Sequence, residues 1–173
     1  FRGLNCIILK NKQAFFMDAR TRRPPKDRFN ALISFLYALL ANDVKSALET
    51  VGLDPYVGFM HTDRPGRPSL ALDLMEELRP FADRVAVRLI NLGMIAADGF
   101  NEEEGGAYKM DDETRAVVIK EWQKTKTSEL FHPFIEESVP IGMLPFVQSM
   151  LLARYLRNDI DGYPPFILKQ VKK

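Results

Sequence analysis

The sequence has 173 residues, of which 46% are hydrophobic and 27% charged, the balance of an ordinary globular domain that can bury a substantial core. No run reaches 18 consecutive apolar residues and no signal-peptide pattern opens the chain, so we expect a cytoplasmic protein without a membrane partner. A net charge of +1 argues against nucleic-acid attraction by the whole molecule, and a single cysteine, Cys6, excludes an internal disulfide.

The first segment, residues 1–29, is basic. Eight lysines and arginines stand against two aspartates before residue 29, a net charge of +6. Such a cluster can hold phosphates, and a solvated, partly disordered arm explains the composition equally well. The apolar residues around Ile7 and Phe15 predict a short helix end and an extended piece, with Cys6 packed among its apolar neighbours.

Two long helices are predicted next. Asp27 or Asn30 can cap the first, whose leucines recur at spacings of three and four until Gly52 ends it. Ser69 is the expected N-cap of the second, which we expect to kink or restart at Pro80 and to end near residue 93.

The last part of the chain alternates loops and helices. The acidic, glycine-flanked residues 97–110 predict a hairpin or surface loop, and Asp111 is placed to cap a helix that runs to about Lys126. A final helix is expected from near Pro145 to about Arg157, followed by an extended tail at 163–166. The predicted fold class is therefore mainly α, a multi-helix domain with at most one small β-hairpin.

The most informative pattern lies between residues 58 and 77. His61 precedes a segment broken by two prolines and a glycine, which cannot be regular helix. On the helix that follows, Asp73, Glu76 and Glu77 fall on the face opposite the leucines. A loop histidine and an acidic helix face can converge on one divalent cation, Mg²⁺ or Mn²⁺, of the kind that phosphodiester chemistry needs.

A plainer interpretation stays open for the same residues. Acidic side chains early in a helix favour its dipole and face solvent, and His61 alone is more often a hydrogen-bonded structural residue than a ligand. His132 has no acid at ligand spacing and is expected at the surface or partly buried.

Several segments together resemble the CRISPR-associated integrase family Cas1, particularly its subtype I-C members. The resemblance covers most of the chain, and its long middle block is the most specific part. The matching segments are residues 20–27, 30–32, 37–40, 52–55, 58–61, 63–80, 151–154 and 163–166.

The resemblance implies a particular architecture and site. Proteins of this family have an N-terminal β domain and a C-terminal helical domain, dimerise, join Cas2 and insert short DNA segments into the CRISPR array by metal-dependent transesterification. Their metal site uses a glutamate, a histidine and a second acid. His61 matches the histidine and Glu76 the second acid, Asp73 is a neighbouring acid often counted in the site, and Tyr37 matches a tyrosine near it.

One departure from the family pattern shapes the expectation for this chain. The family's first glutamate lies in an earlier helix, and no acid precedes Asp18 here. We therefore expect a fragment that lacks that glutamate and the β domain, with residues 1–29 a basic remnant of a truncated domain and 30–173 the helical catalytic-type domain. Losing one of three metal ligands predicts little or no nuclease or integrase activity for the fragment itself.

DNA is the expected substrate of the intact protein, as protospacer and as CRISPR repeat. Arginine's planar fork suits phosphate contacts, and the candidates are Arg20, Arg22, Arg23, Lys26, Arg64, Arg67 and Arg79. The alternatives are a helical DNA-binding domain without catalysis and a protein-interaction module without chemistry.

Overall fold

A computed structural model of the protein describes residues 2–62 and 64–167. Asp63, part of the segment 63–80 singled out above, lies outside the described residues. The described elements are, in chain order, α1 (Arg2–Ile7), α2 (Arg28–Thr50), α3 (Ser69–Asn91), β1 (Phe100–Glu103), β2 (Ala107–Met110), α4 (Asp112–Lys126), β3 (Glu129–His132), β4 (Glu137–Pro140) and α5 (Leu144–Leu156).

The fold is mainly α. Strands β1 and β2 form one antiparallel two-stranded sheet, and strands β3 and β4 form another. The hairpin β1–β2, with Phe100 opposite Met110, confirms the prediction for residues 97–110. The second hairpin, β3–β4, was missed, so the expectation of at most one hairpin is wrong. Its turn takes a left-handed conformation at Glu136, with φ of 59°, a conformation that glycine or asparagine adopts more often in hairpin turns.

Helix α2 begins and ends at the residues that local chemistry indicates. The carboxylate of Asp27 accepts a hydrogen bond from the backbone N–H of Asn30 at 2.7 Å, so Asp27 is the capping residue. At the other end Gly52 has a φ of 82°, and the N–H groups of Gly52 and Leu53 donate to carbonyls in the last turn. By length and composition α2 could cross a membrane, but half of its apolar stretch is buried inside the protein, as in a core helix.

Helix α3 corrects one prediction and narrows another. It is one continuous helix with Pro80 inside it, so of the two alternatives, a kink or a restart, the restart is excluded. The carbonyl of Pro68 accepts the N–H of Leu72, whereas the hydroxyl of Ser69 contacts the carbonyl oxygens of Thr62 and Arg67. Ser69 is therefore a first-turn residue and not the cap.

The chain divides into two compact units. Unit 1 combines Phe1–Leu39 with Pro80–Thr125, and unit 2 combines Leu40–Arg79 with Lys126–Lys173. In unit 1 the segment after α1 is anchored, not a free arm: Ile8, Phe15 and Met17 are at most 1% exposed. The ring of Phe15 meets that of Phe100 edge to face at 5.5 Å. Cys6 is exposed, which corrects the expectation that it packs.

Unit 2 holds the loop 52–68, the first part of α3, the hairpin β3–β4, α5 and the segment that follows it. Its core includes Leu74, Leu78, Leu144 and Leu151, which are each at most 4% exposed. These leucines place α3 so that its remaining side chains meet the loop 52–68 and the segment 163–166.

Candidate functional site

The carboxylate of Asp73 is the centre of the site. It is 7% exposed and accepts hydrogen bonds from three consecutive backbone N–H groups, those of Phe59 at 2.6 Å, Met60 at 2.9 Å and His61 at 3.0 Å. The ring Nδ1 of His61 lies 2.5 Å from the same carboxylate. One buried aspartate therefore fixes both the backbone of residues 59–61 and the orientation of the imidazole.

These contacts decide the charge of Asp73 and the tautomer of His61. Burial raises the pKa of Asp73, but the hydrogen bonds from Met60, His61 and Phe59 outweigh burial and hold the pKa below its ordinary value of 3.8. Because the ionised carboxylate can only accept, Nδ1 of His61 must carry a proton. In the neutral ring, Nε2 then keeps its lone pair for a ligand.

A second set of hydrogen bonds joins the loop before His61 to the start of α3, and in this set the loop supplies the acceptor. The carbonyl of Pro55 accepts the N–H groups of Leu70 at 2.9 Å and Ala71 at 3.2 Å. Two of the N–H groups that every helix start leaves unpaired are satisfied in this way, without a capping side chain.

Gly58 allows this close approach. A Cβ atom there would lie 2.6 Å from Cβ of Ser69 and 3.0 Å from Oδ2 of Asp73. We expect Gly58→Ala to move the loop away from α3 and to destabilise the protein by about 2 kcal/mol, with a correspondingly lower midpoint of thermal unfolding. Gly162→Ala, whose Cβ meets nothing within 4 Å, is the matched control. Equal midpoints for the two variants would contradict the close-packing account.

Glu76 lies one turn beyond Asp73 on α3. Its side chain is 35% exposed, and its carboxylate pairs with the guanidinium of Arg79 at 2.7 Å. A partly exposed pair of this kind contributes little stability, about 0.5 kcal/mol, so a cation could replace Arg79 as the partner of Glu76 at small cost.

The donor set fits part of a divalent metal site. An imidazole nitrogen oriented by a carboxylate, with a second carboxylate one turn along the helix, suits Mn²⁺ or Mg²⁺. Within residues 2–62 and 64–167, however, no group of three His, Cys, Asp or Glu side chains could hold a metal ion. The metal-ligand roles of His61 and Glu76 therefore stay predictions.

Glu77 takes a different role from its neighbour. Its carboxylate accepts hydrogen bonds from the hydroxyl of Tyr163 at 2.8 Å, from Nε2 of Gln148 at 2.8 Å and from the backbone N–H of Phe166 at 2.7 Å. Burial and the charge of Glu77 raise the pKa of Tyr163 well above its ordinary value, which keeps the hydroxyl a donor. Glu77 therefore fastens the segment 163–166 to α3.

His132 belongs to the same buried network. It is 1% exposed, which corrects the expectation of a surface or partly buried residue. Its Nδ1 faces the backbone N–H groups of Phe134 and Ile135, so Nε2 donates to Oε1 of Gln148 at 2.9 Å. Gln148 is an amide within the apolar sequence of α5. A polar residue in such a sequence indicates that it has a buried polar partner, here His132.

The predicted phosphate-binding side chains differ in their surroundings. Arg22, Arg23 and Arg64 are exposed, and Arg67 is half-buried. The remaining three have protein partners: Arg20 bonds to Asn30 and Ser34, Lys26 to the carbonyl of Gly105, and Arg79 to Glu76.

Tyr37 is buried in unit 1. Its hydroxyl donates to the carboxylate of Asp83 at 2.7 Å, and the guanidinium of Arg20 lies 5.8 Å from its ring centre. Its position near the metal site stays a prediction.

Known proteins of similar sequence indicate the family of this chain. A family model described as CRISPR associated protein Cas1 matches residues 1–124. The chain is 56% identical over 156 residues to the CRISPR-associated endonuclease Cas1 2 of Rhodospirillum rubrum, covering 90% of this chain and 45% of that protein. Curated relatives of this kind are about twice as long, so the chain spans about half of their length.

Solved structures of similar fold indicate the same family. A Cas1 protein from Thermotoga maritima has a TM-score of 0.79 and 27% identity, over 97% of this chain and 50% of that one. A chain of a Cas6-RT-Cas1–Cas2 complex has a TM-score of 0.76 and 25% identity, over 99% of this chain and 18% of that one. With a family model that matches most of the sequence and a relative more than half identical, the chain belongs to the Cas1 family of CRISPR-associated proteins.

Proposed function

We propose that this chain is part of a metal-dependent DNA endonuclease and integrase that inserts new spacers into a CRISPR array by phosphodiester transesterification. It would act in the cytoplasm of a prokaryote as a component of antiviral defence. The observation that supports the proposal is the clamp of Asp73 on His61, which fixes the imidazole at Nδ1 beside the helix that carries Glu76 one turn after Asp73. That arrangement occurs in a chain whose curated relatives are named as endonucleases.

Each residue has a distinct part in this proposal. Nε2 of His61 and the carboxylate of Glu76 would hold Mg²⁺ or Mn²⁺, and Asp73 would be a positioning residue that holds the imidazole at Nδ1 and fixes its orientation. The bound cation would stabilise the charge that builds on the phosphoryl oxygens and favour ionisation of the attacking hydroxyl. Arg79, the ion-pair partner of Glu76, would be a candidate for contact with a nearby phosphate.

We propose further that the chain alone has little or no nuclease activity. The described residues offer two of the donors and no group of three, and a missing ligand removes both charge and geometry from a metal site. The remaining donor would come from the glutamate that the family resemblance places in an earlier helix.

The DNA and protein partners are proposals of the same kind. The exposed Arg22, Arg23 and Arg64 are the first candidates for phosphate contacts, which makes binding steeply dependent on salt. Protospacer and CRISPR repeat would be the DNA partners. Cas2 and a second copy of the chain would be the protein partners, as a similar chain is found in a Cas1–Cas2 complex.

The test is strand joining by a chimera in which this chain replaces the corresponding part of the Rhodospirillum rubrum relative. We expect the chimera to join a short DNA duplex to a CRISPR repeat in the presence of Mn²⁺. His61→Ala and Glu76→Gln should each lower the rate by about 100-fold, because each removes a metal ligand, while DNA affinity stays within about 3-fold.

Four outcomes would contradict parts of the proposal. Full joining activity by either variant would exclude the residue replaced in it as a ligand, and activity of the chain alone would refute the incomplete site. Salt-dependent DNA binding that is indifferent to metal, without joining by the chimera, would favour a non-catalytic DNA-binding module. Equal loss of folding and binding in His61→Ala would mark His61 as structural.

A further inference from the structure

The tip of the hairpin β1–β2, residues 102–106, lies against the basic segment that precedes α2. Nζ of Lys26 donates to the carbonyl of Gly105 in this tip at 2.6 Å. The backbone N–H of Tyr108, on β2, donates to the carbonyl of Pro25 at 3.0 Å. Both contacts lie within unit 1, so the hairpin and the segment before α2 are joined through a side chain and through the backbone.

The side chain of Tyr108 adds to this attachment. The guanidinium of Arg28, the first residue of α2, lies 5.0 Å from the centre of its ring. Its hydroxyl donates to the carboxylate of Glu102 at 3.0 Å. Tyr108 therefore connects a cation at the start of α2 to an acidic side chain of the tip.

The tip brings negative charge to Lys26. Glu102, Glu103 and Glu104 are consecutive and exposed. The position that a Cβ atom would take at Gly106 is 3.8 Å from Oε1 of Glu102 and 3.8 Å from Nζ of Lys26, so this carboxylate and this ammonium group are neighbours. Charges this close are separated by less than the screening length of about 8 Å at physiological salt, so they interact.

The contact between Lys26 and the tip can be exchanged for another. The hydrogen bond to the carbonyl of Gly105 is exposed to solvent and has a neutral acceptor, whereas a phosphate oxygen is charged and accepts more strongly. A phosphate that approached Lys26 would, however, be repelled by the carboxylate of Glu102. The tip therefore offers Lys26 a weak partner and opposes the approach of a stronger one.

We propose that the tip is an electrostatic gate over Lys26, which lowers the affinity of the basic segment for DNA until a phosphate displaces it. The inference rests on the proposed function, because it takes DNA as the ligand of the basic segment. DNA that makes several phosphate contacts at once can displace the tip, whereas a single contact cannot. The gate would therefore reduce binding to arbitrary duplex DNA.

The experiment measures binding of a labelled duplex of arbitrary sequence, by fluorescence anisotropy at several salt concentrations, to the chain and to its Glu102→Gln/Glu104→Gln variant. Glu103 is kept because it pairs with Lys109 on the same hairpin. We expect the variant to bind about 5-fold more tightly at low salt, the size expected for neighbouring exposed charges. The slope of log affinity against log salt should steepen by about 0.9, because Lys26 neutralises one more phosphate.

A Lys26→Ala background separates the gate from a general effect of charge. There the same two substitutions should tighten binding by less than about 2-fold, because the side chain that the tip covers is gone. Asp112→Asn/Glu113→Gln is the matched control, since it removes two exposed carboxylates from the start of α4. Its effect on affinity should be the same with and without Lys26. Thermal unfolding of each variant checks that it is folded.

The outcomes distinguish the gate from the proposed function. Affinity that is unchanged by Glu102→Gln/Glu104→Gln, or a gain that persists in full in the Lys26→Ala background, overturns the gate and leaves DNA binding intact. Binding by this variant but not by the parent would be the gate in its strongest form. Absence of DNA binding by the parent and by every variant would overturn both the gate and the proposed DNA ligand.

Discussion

Replacing Asp73 with alanine is expected to destabilise the protein by about 3 kcal/mol, because one side chain accepts four hydrogen bonds at a nearly buried site. The variant would leave the N–H groups of residues 59–61 without their acceptor and free the imidazole of His61 to rotate. Urea denaturation measures the loss. Asp73→Asn should be intermediate, because an amide keeps the shape but offers only one accepting oxygen.

Metal-free acid titration provides the control for this first prediction. Since the pKa of Asp73 is held below 3.8 in the folded protein, its carboxylate contributes its full stability above the ordinary pKa. That contribution is lost as the pH falls through the lowered pKa. The stability difference between the parent and Asp73→Asn should therefore shrink in strong acid, and a difference that stays constant would refute the hydrogen-bonded clamp.

Two neighbouring glutamates should differ sharply when each is replaced with alanine. Glu77→Ala is expected to cost about 3 kcal/mol, since it removes the acceptor of the Tyr163 hydroxyl and of the Phe166 N–H and one of the acceptors of the Gln148 amide. Glu76→Ala should cost less than about 1 kcal/mol, because it removes only a partly exposed ion pair. Chemical denaturation of both variants measures the difference.

Limited proteolysis extends this second prediction. Release of the segment 163–166 in Glu77→Ala should expose it to cleavage, whereas in Glu76→Ala the segment should stay protected. Glu77→Gln tests the charge, because it keeps an acceptor oxygen but places an amide nitrogen against donors. Equal stability and equal cleavage of the two alanine variants would show that Glu77 does not hold the segment.

The features that could be predicted from the sequence depend on short-range hydrogen bonds. Asp27 and Asp111 each accept from an N–H three residues later, and Gly52 supplies a left-handed residue at the end of α2. Such interactions involve residues that are close together in the chain, so the sequence pattern predicts them. For His61 and Asp73, twelve residues apart across a proline-broken loop, the sequence suggested a shared cation and not the direct hydrogen bond that the structure shows.

The features that could not be predicted depend on distant parts of the chain. Glu76 and Glu77 are adjacent on one helix. Glu77 is the one with partners inside the protein, because its carboxylate accepts a hydrogen bond from Tyr163, 86 residues later in the chain. His132 is buried because Gln148 and the segment after α5 close over it. Helical periodicity indicates a face of a helix but not the element that will cover it.

Proton NMR of the two histidines, His61 and His132, in the presence of Mn²⁺ tests the central claim most directly. Paramagnetic broadening falls steeply with distance from the ion, so it detects even a weak site. We expect small additions of Mn²⁺ to broaden the ring protons of His61 first, leaving the buried His132 sharp, and Glu76→Gln to weaken that effect. Equal broadening of both rings, or broadening of His61 that is indifferent to Glu76→Gln, would contradict a cation shared by His61 and Glu76.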